Sequence, residues 1–183
     1  MTTVEDGGVR LELVTPTLDL EGVCRECEAA FAARGEVFLG ERTRDWPAFV
    51  QWCEDDAAGR LLAAHPERVP QTTYILLRRE PDGSGKALGT SRLRHYLNPA
   101  LEDAGGHIGY AIRPDERGKG YGNRILALTL PEARELGLSR VLVTCATDNI
   151  RSARVIMANG GILTSEGMSV QTGERHSRYW IAL

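Results

Sequence analysis

The string Arg117-Gly118-Lys119-Gly120-Tyr121-Gly122 restricts this chain more than any other feature of it. It sets three glycines at alternate positions, between HIGYAI, which reads as a strand, and YGNRILALTL, which reads as a helix. Glycine tolerates positive φ and lets a backbone approach a ligand closely. The first amides of a helix lack intrahelical acceptors, and the helix dipole adds partial positive charge there. A strand, a glycine turn and a helix in that order therefore make a seat for an anion, with pyrophosphate as the natural guest. Two other nucleotide loops fail on spacing. No Gly-x-x-x-x-Gly-Lys-Ser/Thr string occurs, which disfavours a nucleotide hydrolase, and Gly-x-Gly-x-Gly is not the dinucleotide fingerprint Gly-x-Gly-x-x-Gly.

Around this turn the hydrophobic pattern predicts alternating element types. Residues 9–15 alternate apolar and polar as a half-buried strand that Pro16 closes. Val23, Cys27, Ala30 and Phe31 recur at helical spacing over 20–34, and Gly35 supplies a stop. A second helix is expected over 46–64, then a hairpin of strands 73–79 and 87–96 about the turn PDGSG. A loop with Asn98, Pro99 and Gly105-Gly106 leads into HIGYAI. The helix after the glycine turn should run to Leu136 and end at Gly137, although Pro131 inside it removes a backbone donor and should kink it. A buried strand RVLVTCA, a helix over 150–159 and two strands joined at Thr172-Gly173 complete the chain.

At 183 residues, 42% hydrophobic and 26% charged, these elements fit one folded domain spanning 1–183. No apolar run reaches the roughly 20 residues of a membrane span, and the start MTTVEDGG lacks the order of a signal peptide, so a cytoplasmic protein with no membrane partner is expected. The net charge of -3 supplies no global field for nucleic acid. Cys24 and Cys27 form a Cys-x-x-Cys, but no second pair completes a ligand set. They read as packing residues on one helix face, with no metal implied.

The string IGYAIRPDERGKGYGNRILALTLPEARELG, the strand after it and DNIRSARVIMANGGIL together resemble the acetyl-coenzyme A core of the GNAT superfamily of N-acetyltransferases. The family turn, Arg/Gln-x-x-Gly-x-Gly/Ala, is matched by Arg117, Gly120 and Gly122, and the likeness runs from about Thr73 to the C-terminus. GGHIGY, the late NGG and the terminal RYWI are similar to a bacterial branch of such enzymes. The resemblance implies an α/β fold: a mixed, mostly antiparallel central sheet with a splayed strand pair and helices on both faces. It also implies acetyl-CoA as cosubstrate. Pantetheine would lie in the splay, against Ile112 and Arg113 on one strand and Val143 to Cys145 on the other, with Arg117, Gly118, Lys119, Gly120, Tyr121 and Gly122 around the pyrophosphate. Asn149 matches a position that bonds the pantetheine arm, with Ser152 one turn on; an ordinary helix N-cap explains the same pair.

Many members carry a tyrosine that protonates the leaving thiolate, and Ile156 stands in its place here. Either Ser152 or water is then the candidate acid, or the thiolate departs unassisted, as its modest basicity allows. An amine acceptor near pKa 10.4 needs a base at pH 7. His107, where relatives place a glutamate, has suitable chemistry, and a structural histidine is the competing reading. His95, His176 and Tyr96 are weaker candidates, and Cys145 reads as packing. The acceptor, a small molecule or a protein N-terminus, should meet 35–46, 54–56 and 97–106, where acidic residues would attract a cationic amine. The rival reading is a catalytically silent acetyl-CoA sensor or interaction module. Members of this superfamily often pair through sheet edges, so a homodimer is also expected.

Overall fold

The computed structural model describes residues 2–6, 9–80 and 84–183. Within the expected PDGSG turn, residues 81–83 lie outside these. Two antiparallel sheets carry the fold. The first has five strands in sequential order, β1 (Thr2–Asp6), β2 (Val9–Val14), β3 (Gln71–Arg79), β4 (Gly85–Arg94) and β5 (Ile108–Ile112). The second has β6 (Arg140–Ala146), β8 (Arg175–Ala182) and β7 (Ile162–Met168), with β8 in the middle. β5 and β6 are edge strands of different sheets, and they form the splayed pair.

Helices cover both faces of the first sheet. On one face, α1 (Glu21–Ala32) and α2 (Trp46–Ala57) bury Cys24, Cys27, Phe31, Trp46 and Phe49 against Ile75 and Leu77 of β3. Cys24, Cys27 and Phe31 recur at three- and four-residue steps, the spacing that turns one helix stripe inward. Phe31 stacks on Phe38 at 5.2 Å between centroids, and its burial stabilises by about 2–3 kcal/mol. Burial pushes the thiols of Cys24 and Cys27 up to about 12, as expected for packing residues. On the other face, Ile125 and Leu126 of α4 (Tyr121–Glu135) meet Leu76, Leu93 and Ile108, with Ile156 of α5 (Ile150–Ala158) in the same core. Covered on both sides, β3 buries five residues in succession, Thr73 to Leu77, instead of alternating.

Beyond shifts of one or two residues at element ends, three features differ from the sequence expectation. α2, capped by the Asp45 carboxylate on the Ala48 amide at 3.0 Å, ends at Ala57, because Gly59 turns left-handed (φ 72°) and residues Arg60–Ala63 continue only as a 3-10 turn. The loop before β5 holds a short helix, α3 (Pro99–Asp103), capped by the Asn98 side chain on the Leu101 amide. β1 has no signal in the sequence, because its TTVED lacks apolar alternation; its Val4 packs against the core. α4 runs unbroken across Pro131 to Glu135. No helix of the described residues is long and apolar enough to cross a membrane.

Candidate functional site

At one end the splayed strands are tied together. The His107 amide donates to the Leu142 carbonyl at 2.7 Å, and the Leu142 amide donates back to His107 Nδ1 at 2.9 Å. The Gly105 amide adds a bond to Thr144 Oγ1 at 2.9 Å. Gly106, at φ 60°, lies so close to β6 that a Cβ on it would stand 2.4 Å from the Leu142 carbonyl oxygen. Away from this tie no ladder joins β5 to β6, and the gap opens toward the glycine turn.

The open end is a cleft of about 710 Å³. Ile112, Gly118, Gly120, Gly122, Asn149 and Ser152 line it, as the sequence predicts. Gly118 and Gly120 have φ of 81° and 86°, and Gly120 is the N-cap of α4. Among the described residues the amides of Gly118, Lys119 and Gly120 donate to no backbone carbonyl, and those of Tyr121 and Gly122 open a helix, where no partner exists. These bare amides lie together where the sequence expectation puts an anion. Gly122 also serves packing, since a Cβ there would come within 3.1 Å of Val155 and its bareness lets α4 lie against α5.

The charged members of the turn are committed elsewhere. Arg117 lines the cleft, but its Nε donates to the Ile112 carbonyl at 3.0 Å and its fork is taken by the Glu36 carboxylate. That guanidinium holds the Glu36 carboxyl below its ordinary range. Lys119 and Lys86, the two lysines of the chain, both pair with Glu116, whose side chain is 4% exposed. Arg113, Lys119 and Tyr121 are not on the cleft wall. Arg113 Nε turns to Asp115 at 2.8 Å, and Tyr121 bonds Arg78 of β3. Free positive charge comes instead from Arg151 and Arg154 of α5, which line the cleft and are unpaired among the described residues. The three-residue step between Arg151 and Arg154 puts the two on one side of α5.

A second cleft of about 530 Å³ lies between β5, α3 and the β7–β8 turn, with Arg94, Gly109, Cys145, Thr172 and His176 on its wall. The two clefts share Tyr110, Asn149 and Ser152. Asn149 caps α5 by accepting the Ser152 amide at 3.1 Å, which leaves its Nδ2 unpartnered among the described residues. Ser152 Oγ stands 3.1 Å from the Tyr110 hydroxyl. Burial pushes the Tyr110 phenol up to about 12, so it is fully protonated at neutral pH. By pattern Tyr110 is one residue of an alternating strand. Its placement opposite α5 depends on tertiary packing, which the sequence does not display.

His107 does not have the geometry of a base. Its ring is 5% exposed, Nδ1 is occupied by the Leu142 amide, and burial, reinforced by the Arg94 guanidinium, lowers its pKa to about 4. The ring is a staple at the closed end of the splay, so the structural alternative to the catalytic reading is the one the geometry fits. Ile156 is wholly buried and takes no part in the site. Four of the acidic residues expected to attract an amine are engaged: Asp45 in a cap, Asp55 with Arg60, Asp56 with Arg68, and Asp103 with Arg178.

The strand pair, tied at one end and open at the other, faces the glycine turn across the first cleft. The family model described as the acetyltransferase (GNAT) domain matches residues 10–162, and the chain belongs to the GNAT acetyltransferase family. Its architecture is similar to that of ribosomal-protein-S5-alanine acetyltransferase from Vibrio fischeri, with TM-score 0.65, 16% identity and coverage of 100% and 97% of the two chains. Mycobacterium smegmatis RimJ in complex with CoA-disulfide gives 0.64, 18%, 94% and 82%. The microcin C7 self-immunity acetyltransferase MccE, in complex with acetyl-CoA and AMP, gives 0.64, 13%, 94% and 92%. At these identities the likeness establishes the fold. No curated protein matches the chain.

Proposed function

We propose that the chain moves an acetyl group from acetyl-CoA to a primary amine, by direct attack while both substrates are bound. The observation that carries this reading is the meeting of the two clefts at Tyr110, Asn149 and Ser152. The pyrophosphate would sit on the amides of 118–122, the nucleotide end beside Arg151 and Arg154, and the pantetheine arm in the splay along Ile112. The thioester would then arrive at the Tyr110–Ser152 pair, with the acceptor entering from the second cleft.

The pair has a defined role in such a reaction. The amine nitrogen attacks the thioester carbonyl carbon, the C–S bond breaks, and its electrons leave on sulfur. A phenol near 12 cannot give its proton away permanently to a thiolate whose conjugate acid lies near 8.5, an uphill transfer of about 5 kcal/mol. The hydroxyls act instead as a relay. The amine attacks as its neutral form, having lost its first proton to solvent; the proton its nitrogen then loses, once bonded to the carbonyl carbon, replaces the one passed to sulfur, and neither Tyr110 nor Ser152 keeps a charge. This relay also answers the best argument for a catalytically silent sensor, which is the isoleucine at position 156.

Calorimetric titration with acetyl-CoA, run beside an acetyl transfer assay over an amine panel, tests the reading. Gly120→Glu should abolish acetyl-CoA binding. Tyr110→Phe should keep binding while lowering turnover by roughly 10–100-fold. Wild-type protein that fails to bind acetyl-CoA would overturn the proposal, and binding with no transfer to any amine would leave the sensor.

A further inference from the structure

The face of β4 that looks toward α2 carries charge with no counterpart. Thr73 pairs across the ladder with Arg92, Gln71 with Arg94, and Arg92 with Gly109 of β5, so Arg92 and Arg94 project from the same side two residues apart. Arg94 NH1 donates to the carbonyls of Gly105 and Gly106 at 2.9 and 3.0 Å. The same nitrogen would stand 3.8 Å from a Cβ built on Gly109, so the guanidinium lies over the bare backbone of β5. Arg92 makes no hydrogen bond or ion pair among the described residues. Neither arginine has a carboxylate.

The surrounding groups cannot neutralise them. Asp56 is held by Arg68 at 2.8 Å. Cys53, beside Arg92, is a thiol pushed up to about 12 and therefore neutral. Burial lowers both guanidinium pKa values below the usual arginine range, and Arg92 adds to the effect on Arg94. Guanidinium nevertheless stays charged in proteins. A half-buried cation without a counter-ion is expensive to maintain, so such a pair points to an anion that arrives from outside. The second cleft agrees: among its described lining residues Arg94 is the only formally charged side chain, and no carboxylate faces it.

We infer that the acceptor is an amine that also carries a carboxylate, seated by Arg94 in the second cleft while its amine reaches toward Tyr110, with Arg92, two residues along β4 and off the cleft wall, adding positive charge behind it. The planar fork of arginine matches a carboxylate in two parallel bonds, which would fix the acceptor's orientation as well as its charge. This assignment rests on the acetyltransferase reading for the role of the cleft. It also reverses the expectation of an acidic, amine-attracting surface. The carboxylate could belong to a free amino acid or to an acidic residue near a peptide's N-terminus, and the chemistry recognised is the same.

Calorimetry on protein saturated with CoA tests the site without requiring turnover, so its outcome is separate from that of the transfer assay. The probes are L-methionine, L-phenylalanine, L-aspartate and β-alanine, each against its own amide, with Ala-Asp-Ala-amide against Ala-Asn-Ala-amide as the peptide arm. At least one acid should bind tenfold or more tightly than its amide. That preference should disappear in Arg94→Gln, with Arg94→Lys as a partial rescue, and weaken in Arg92→Gln, which loses no hydrogen bond within the fold. A preference confined to the peptide arm supports the same site with a peptide as the source. Equal binding of acids and amides, no binding of any acid, or a preference that survives Arg94→Gln would overturn the inference.

Discussion

The Leu142 amide donates to Nδ1 of His107, so the neutral ring carries its proton on Nε2, and a second proton would have to displace that bond. A folded pKa of about 4 against 6.5 for the free residue means that the unfolded chain binds more protons between those values. The staple therefore contributes its full stability above pH 6.5, and loses it progressively as the pH falls toward 4. The difference corresponds to roughly 3 kcal/mol. His107→Asn, whose amide oxygen can accept the same N–H, should flatten the slope of denaturation free energy against pH across this window while keeping the fold. An unchanged slope would mean that other groups set it. HIGY shows a histidine at the head of a strand, but its acceptor role depends on a residue 35 positions away, which no local pattern reveals.

The elements legible in the sequence are those whose period reports a single buried face. α1, α5 and β2 follow from apolar spacing, and the anion seat follows from glycines at a strand–helix junction. α3 and the shortened α2 are set by an asparagine cap and a left-handed glycine, which act against longer-range propensity. The tie at the closed end of the splay combines the hydrogen bonds of Gly105 and His107 to β6 with the close approach of Gly106 to it. A methyl group there would press on the Leu142 carbonyl at 2.4 Å, in a backbone conformation that side chains disfavour. Gly106→Ala should therefore destabilise by about 2–4 kcal/mol, lowering the melting temperature by roughly 5–10 °C. Because the tie also sets the gap between β5 and β6, acetyl-CoA affinity should fall with it. A variant with wild-type melting and wild-type affinity would show that the tie does not hold the splay.

The outer edge of the second sheet is formed by β7. β7 pairs only with β8 among the described residues, and its free side carries Ile162, Leu163 and Met168, which are 70, 47 and 64% exposed. An unpaired edge with apolar side chains on both faces tends to recruit another strand, and natural edges that stay single are usually protected by charge or proline. Here β7 has one charge, Glu166, which is engaged by Ser177 and Arg175. Two copies meeting along β7 about a two-fold axis would join their three-stranded sheets into one of six strands. The edge lies beyond β8 from the splay, so this arrangement leaves β5, β6 and the glycine turn clear. We expect light scattering on the eluting protein to report about 40 kDa, twice the 20.1 kDa chain. Ile162→Lys with Met168→Lys should return it to the single-chain mass without loss of acetyl-CoA binding. A wild-type mass of one chain at about 100 µM would refute pairing through this edge, because a sheet extension at this scale needs micromolar affinity or better to matter.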